Sequence, residues 1–288
     1  MADTTGMQDL RGENISKAVT GFALMMFKLR QVCQVQKANA WQETYYQESA
    51  AELTPAGETF AVKGVGRLSA FPHLDPSWTI AHSFQVKHAG ETYIDYEDAI
   101  SSAFDIGNRA LIRIARSIAY SEDISIYDVI TADANVNTAA SSAAWDDAVV
   151  ANRDPIKDIN VGIQYCRVDN YEVQEDGYIL LSPKDYTNLM MNSKVMNNPS
   201  FKGADVVKNG KVGQIEGLKI IVSNAIDADE ACIIKGGAMG ALIYKELDSL
   251  KTAVEYTPGI KYQISGWLIG KTQVVNPEAI HIITNTQA

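Results

Sequence analysis

Little in this sequence points to chemistry. Of its 288 residues only three are cysteine (Cys33, Cys166, Cys232) and four are histidine. The cysteines lie far apart with no paired spacing, which excludes a disulfide framework and a cysteine-rich zinc site. A chain of this length buries about 75% of its unfolded surface, so it needs no such staple. The cysteines are therefore expected as small buried hydrophobes. No apolar run approaches the roughly 20 residues of a membrane helix. The start, Met1-Ala-Asp-Thr-Thr-Gly6, has no basic-then-apolar signal, which leads us to expect a cytoplasm-like compartment. An excess of positive charge is missing too. The formal net charge is -10, unlike the basic domain of a free nucleic-acid binder, and it favours solubility. With 46% hydrophobic and 21% charged residues the composition is that of a globular chain, which excludes wholesale disorder, collagen and coiled-coil rod.

The motifs of catalysis are equally sparse. Gly64-Val-Gly66 lacks the third glycine and the following helix of a dinucleotide fingerprint. Gly236-Gly-Ala-Met-Gly240 follows a strand but lacks the Lys-Ser/Thr of a phosphate loop. His73, His82 and His88 fall close together in sequence, but six residues of extended strand separate the last two by about 20 Å. No H-E-x-x-H or tight ligand cluster appears. There is no G-x-S-x-G elbow. The acid pairs Glu97-Asp98, Glu122-Asp123 and Asp146-Asp147 read as solvated faces and caps, since an acid–base pair needs a pocket. No catalytic residue, cofactor or metal is expected.

What is present is architectural. Residues 1–13 form a polar arm, and Asn14 to about Gln36 has helical spacing at Ile15, Val19, Phe22, Met26 and Leu29. Over residues 1–40 five basic residues face three acidic ones, so the start is mildly positive. Thr59–Gly66 and Thr79–His88 read as two strands of a long excursion, which is marginal without something to lie on. Tyr96 to Tyr120 is the strongest helix, with Ile100, Phe104, Leu111, Ile114 and Ile118 on one face and Asp105, Arg109, Arg113 and Arg116 elsewhere. Its length is about 37 Å. Residues 121–160 hold eight acidic residues against two basic ones, and we expect these acids to face solvent or to have partners, because like charges buried together repel. Asp133–Ala144 reads as a loop. Asp154-Pro155 and Ser182-Pro183 are each a cap followed by proline at the first helical position. Leu218–Ser223 and Ala231–Lys235 read as strands, and the tail alternates as strands to Thr284.

In this order the segments resemble the major capsid proteins of tailed bacteriophages, the HK-ninety-seven-type fold shared with encapsulins. Local phrases carry the resemblance: Ile94-Asp-Tyr-Glu-Asp98, Trp145 with Asp154-Pro-Ile-Lys-Asp-Ile159, Gly177-Tyr-Ile-Leu-Leu-Ser-Pro183-Lys-Asp-Tyr186, Ile215-Glu-Gly-Leu-Lys-Ile-Ile-Val-Ser-Asn224 and Val275-Asn-Pro-Glu-Ala279. The strand-Ser-Pro-x-x-Tyr-x-x-Leu phrase is the most telling.

The resemblance implies an α+β capsid fold. Its parts would be an N-terminal arm and helix (1–40), a peripheral domain (41–124 and 241–288) and an axial domain (125–240). Within the peripheral domain, an extended β-hairpin loop would span about 54–94 and a spine helix about 96–120. It implies a non-enzymatic shell subunit that self-assembles as hexamers and pentamers around a viral genome. The alternative is an encapsulin-like compartment around a cargo enzyme. Implied partners are copies of the chain itself, a separate scaffolding protein, a portal and a decoration protein. Packaged DNA would be enclosed with little specific contact, and no membrane is involved. Assembly is expected in the host cytoplasm. Candidate inter-subunit contacts are Lys63, Arg67, Lys87, Asp105, Arg109 and Arg113. One branch of the family forms Lys–Asn cross-links between subunits; Lys63 and Lys87 lie in the expected hairpin, but neither an Asn partner nor a catalytic Glu can be placed for them.

Overall fold

The structure, a computed structural model, describes Val19, Val195 and residues 26–47, 66–70, 79–101, 106–193, 214–237 and 240–288. In chain order the elements are β1 (Gln34–Lys37), β2 (Gln42–Gln47), β3 (Thr79–Phe84), β4 (Val86–Asp95), α1 (Tyr96–Ser101), α2 (Ile106–Ala132) and β5 (Asn137–Ala140). They continue with α3 (Pro155–Val168), β6 (Gly177–Leu181), α4 (Pro183–Met191), β7 (Gln214–Ile215), β8 (Leu218–Val222), β9 (Glu230–Lys235), β10 (Leu242–Thr257), β11 (Lys261–Val274) and β12 (Ile280–Thr284). The strands form a four-stranded sheet β1-β10-β11-β4, a six-stranded sheet β5-β12-β9-β6-β8-β7 and a ribbon β2-β3.

The four-stranded sheet is built on the antiparallel β10–β11 hairpin, whose register runs from Leu242↔Val274 to Thr257↔Lys261. At its tip Gly259 takes a positive φ of 70°, which only glycine adopts without cost. Along β11 the residues Tyr262, Ile264, Gly266, Leu268 and Gly270 are buried, and those between them are half-exposed. This is the two-residue pleat written into the sequence. The buried face carries α2, whose Leu111, Ile114, Ala115 and Ile118 point inward. A Cβ on Gly266 would come within 2.9 Å of Ile114 Cγ2 and 3.2 Å of Ile118 Cδ1. Glycine at that position lets the helix lie close on the sheet.

The six-stranded sheet is different in texture. Ala231, Cys232, Ile233 and Ile234 are consecutive and all 0% exposed. Consecutive burial means that both faces are covered. α3 covers one of them, with Gly162 so close that a Cβ would meet Ile233 Cδ1 at 2.7 Å and His281 Cδ2 at 2.8 Å. The caps act as the sequence implies. Asp154 Oδ1 accepts from the Lys157 amide at 3.3 Å, ahead of Pro155. Ser182 Oγ accepts from the Asp185 amide at 3.2 Å and donates to Asp185 Oδ2 at 2.6 Å. A buried Trp145 closes the end of this part, its indole N–H donating to Asp158 Oδ2 at 3.0 Å. All three cysteines are free and buried.

Several expectations change. The long helix does not end at Tyr120 but runs to Ala132, because Ile126, Tyr127 and Ile130 continue its buried face. Gln34–Lys37, expected as helix, is a strand, because the edge of β10 offers it parallel partners from Ile243 to Glu246. Within the expected 133–144 loop, Asn137–Ala140 is an edge strand paired with β12. β12 itself joins the six-stranded sheet between β5 and β9, so the tail does not stay with the four-stranded sheet. Of the expected excursion, β4 is a full member of the four-stranded sheet, and β3 pairs with β2. Residues 59–65 lie outside the described residues.

Candidate assembly surface

The first feature is an ionic anchor that fixes the segment before β1. The Leu29 amide donates to Asp123 Oδ1 at 3.0 Å and the Lys28 amide to Asp123 Oδ2 at 3.3 Å. Arg30 lies between the rings of Phe27 and Tyr244. Its guanidinium donates to Glu246 Oε1 at 2.7 Å and sits 3.7 Å from Glu122 Oε1. Burial pushes the Glu122 carboxyl up to about 7, against the pull of Arg30. Burial likewise lifts Asp123 to about 6, against the two backbone amides that hydrogen-bond it. Carboxyls of raised pKa are what an acid–base site needs. Here they face the chain's own amides and guanidinium, so the cluster holds the segment onto α2 and β10. Glu122 and Asp123 are thus buried, not the solvated pair expected. The signal available in the sequence was the helical period continuing past Tyr120.

The second feature is the open side of the four-stranded sheet, opposite α2. Lys87 lies over the Trp267 ring at 5.7 Å, and Lys261 over the Tyr93 ring at 3.8 Å. Glu91 accepts from Tyr93 Oη and Gln263 Nε2. On the α2 side, at the hairpin tip, Tyr256 stacks on Tyr262, with centroids 4.6 Å apart. Beside this sheet the β2–β3 ribbon pairs Tyr46 with Ile80 and Thr44 with His82. Trp41, Tyr46, Ile80 and Phe84 are all more than half exposed. Large apolar side chains gathered on one ribbon mark an interaction surface.

The six contact candidates do not form one surface. Lys63 and Asp105 lie outside the described residues. Arg67 is exposed in the short 66–70 segment. Lys87 is on the open face of β4, because its neighbour His88 is buried toward α2 and meets Ser121 Oγ at 2.9 Å. Arg109 and Arg113 are exposed on α2, on the other side of the layer. Arg116, which extends that pair by a turn, was not among the candidates. It lines a cleft of about 520 Å³ with Lys28, Tyr120, Ser223 and Asn224. Among the described residues no group of histidine, cysteine and carboxylate side chains is arranged to hold a metal. No described helix is long and apolar enough to cross a membrane.

Residues 83–283 match the family model described as phage capsid protein. No curated protein sequence matches the chain. Among solved structures, the virus-like particle from Pyrococcus furiosus is 13% identical with a TM-score of 0.65, over 94% of this chain and 98% of that one. The capsid of the cyanophage P-SCSP1u is 13% identical with a TM-score of 0.63, over 90% and 88%. The mature capsid of bacteriophage PhiM1 is 15% identical with a TM-score of 0.60, over 89% and 86%. At these identities the likeness is one of fold, and that fold is α+β.

Proposed function

The chain belongs to the phage capsid protein family and is a structural subunit of a capsid shell, and we propose that its copies close as hexamers and pentamers into an icosahedral shell around a viral genome. The observation that carries this is the match over residues 83–283, which spans both sheets and α2. The physical support is a sheet that the described residues cover with a helix on one side only. Obligate assemblies bury about 2,000–5,000 Å² per interface, and an open aromatic sheet face with an apolar ribbon beside it supplies such area without enlarging the core. Head-to-tail contacts whose rotation closes give rings.

We read the organisation as an N-terminal arm, a peripheral domain built on the four-stranded sheet and α2, and an axial domain built on the six-stranded sheet, with β12 returning to the axial part. Lys87, on the open face, and Lys63 and Arg67, in the excursion before β3, are our contacts to neighbouring copies. A separate scaffolding protein, a portal and a decoration protein are the further partners proposed, and the host cytoplasm the place of assembly. A compartment around a cargo enzyme shares the fold but draws less support, because the matching family model is that of phage capsids.

Size-exclusion chromatography and negative-stain imaging of the full chain test the reading. Closed shells or capsomer rings are expected. Only small species at every salt and concentration tried would overturn it.

A further inference from the structure

We propose that the face of α2 turned away from the sheet, carrying Arg109, Arg113 and Arg116, binds the phosphate backbone of double-stranded nucleic acid, with Lys28 completing the site at the adjoining cleft. The proposal rests on the shell reading above and adds which face of the subunit looks inward.

Positions 109, 113 and 116 fall within about 60° of arc and span about 10 Å of the helix axis. They are opposite the buried row of Leu111, Ile114 and Ile118. Each strand of a duplex presents a phosphate every 3.4 Å or so along its axis, so a row of this length meets about three. Past Arg116 the row opens into the cleft of about 520 Å³, where Lys28, Tyr120 and Asn224 stand together with Asp123, whose carboxyl accepts from the Lys28 and Leu29 amides. The cleft brings a cation from the N-terminal segment beside one from α2. Lys28 is held there through its Nζ, which donates to the Val222 carbonyl at 2.7 Å.

Surface cations of this chain meet carboxylates at some places and not at others, Lys157 and Lys219 being without one among the described residues. Arg167, Lys184 and Lys251 each pair with a carboxylate, Glu172, Asp146 and Asp248 respectively. Among the described residues no carboxylate pairs with Arg113 or Arg116, although the chain carries 35 acidic residues against 25 basic ones. A shell of such subunits repels a polyanion unless its cations gather on the inner face. Arginine is suited to that role, because its planar fork meets phosphate oxygens two at a time. The contact reads no bases, which fits a container for nucleic acid of any sequence.

The test is the salt dependence of binding of a short mixed-sequence duplex to the unassembled fraction of the full-length chain, because a closed shell hides its inner face from an added duplex. Removing one cation that neutralises a phosphate flattens the slope of log K against log salt by about 0.9. The triple variant Arg109→Gln, Arg113→Gln, Arg116→Gln is expected to flatten it by roughly 2–3 and to weaken low-salt binding at least about tenfold. The charge-matched control Lys157→Gln, Lys184→Gln, Lys219→Gln, on the axial part, is expected to leave the slope unchanged. An unflattened slope in the arginine variant, or equal flattening in both, overturns the proposal. So does arginine-dependent binding of polyglutamate without arginine-dependent binding of the duplex, which would make the occupant an acidic protein segment. Arginine-selective dicarbonyl labelling of the unaltered chain gives a readout free of folding effects. The duplex should protect Arg113 and Arg116 and leave Arg167 reactive, and equal reactivity with and without duplex overturns the proposal. Negative-stain images of the same preparations separate the two levels. Shells from the unaltered chain together with an unflattened slope in its unassembled fraction sink this inference alone, whereas absence of shells from the unaltered chain sinks the shell reading.

Discussion

The two sheets bury the same kinds of residue in opposite ways. In β9 of the six-stranded sheet four successive side chains, Ala231 to Ile234, are fully buried. In β11 of the four-stranded sheet buried residues alternate with half-exposed ones for almost the whole strand. The first sheet is finished within one chain. The second has α2 on one face and, among the described residues, the side chains of Lys87, Tyr93, Trp267 and their neighbours on the other. A subunit that must fold alone and then join many copies needs both kinds. On the proposed reading the closed sheet carries the stability of the free chain, and the open sheet holds surface in reserve for assembly.

Substitutions at matched depth break this comparison most directly. Ile234→Ala in the closed sheet should cost the unassembled chain about 2–5 kcal/mol, read by urea denaturation. A loss below about 1 kcal/mol would mean that the site collapses around the cavity and that this sheet is not the stable part. Gly266→Leu, on the covered face of the open sheet, should cost about 1–3 kcal/mol by forcing Ile114 and Ile118 outward. The same measurement checks it, and wild-type stability would show that α2 can lift without penalty.

The anchor between the sheets gives a smaller effect with a definite sign. Burial raises Glu122 from 4.5 to about 7 and Asp123 from 3.8 to about 6. The docked state therefore holds these protons more tightly than the undocked one. Its stability is full below about pH 4 and falls as pH rises through 6 and 7. Amide exchange at Leu29, corrected for the intrinsic rate, should show more protection at pH 5 than at pH 8. Equal protection, or the reverse order, would show that Arg30 keeps both carboxylates charged throughout. The smallest stability effect belongs to Lys87→Ala, an exposed position, at less than about 0.5 kcal/mol in the free chain. The yield of shells by size-exclusion chromatography should nonetheless fall. An undiminished yield would remove the open face around Lys87 from the assembly surface.

Much of the fold was legible because it is local. A proline behind Asp154 or Ser182 starts a helix through hydrogen bonds that reach three residues ahead. The alternation of β11 and the unbroken apolar run of β9 announce one covered face and two. The candidate surface was legible only in pieces. The resemblance pointed to Lys87, Arg109 and Arg113 through the expected hairpin and spine helix, but not to the layer that puts the lysine on one side and the arginines on the other.

The sequence by itself determined the helix caps, the pleat of the strands and the burial of the cysteines, since each follows from a residue and its near neighbours. Only the tertiary structure decided that Gln34–Lys37 would be a strand, that β12 would join β5 and β9, and that Glu122 and Asp123 would be buried against Arg30 and the Leu29 amide. Those outcomes depend on partners some 45 to more than 200 residues away or on an open sheet edge. Hydrogen-bonding capacity and burial at such a distance leave no periodicity in the chain that supplies them.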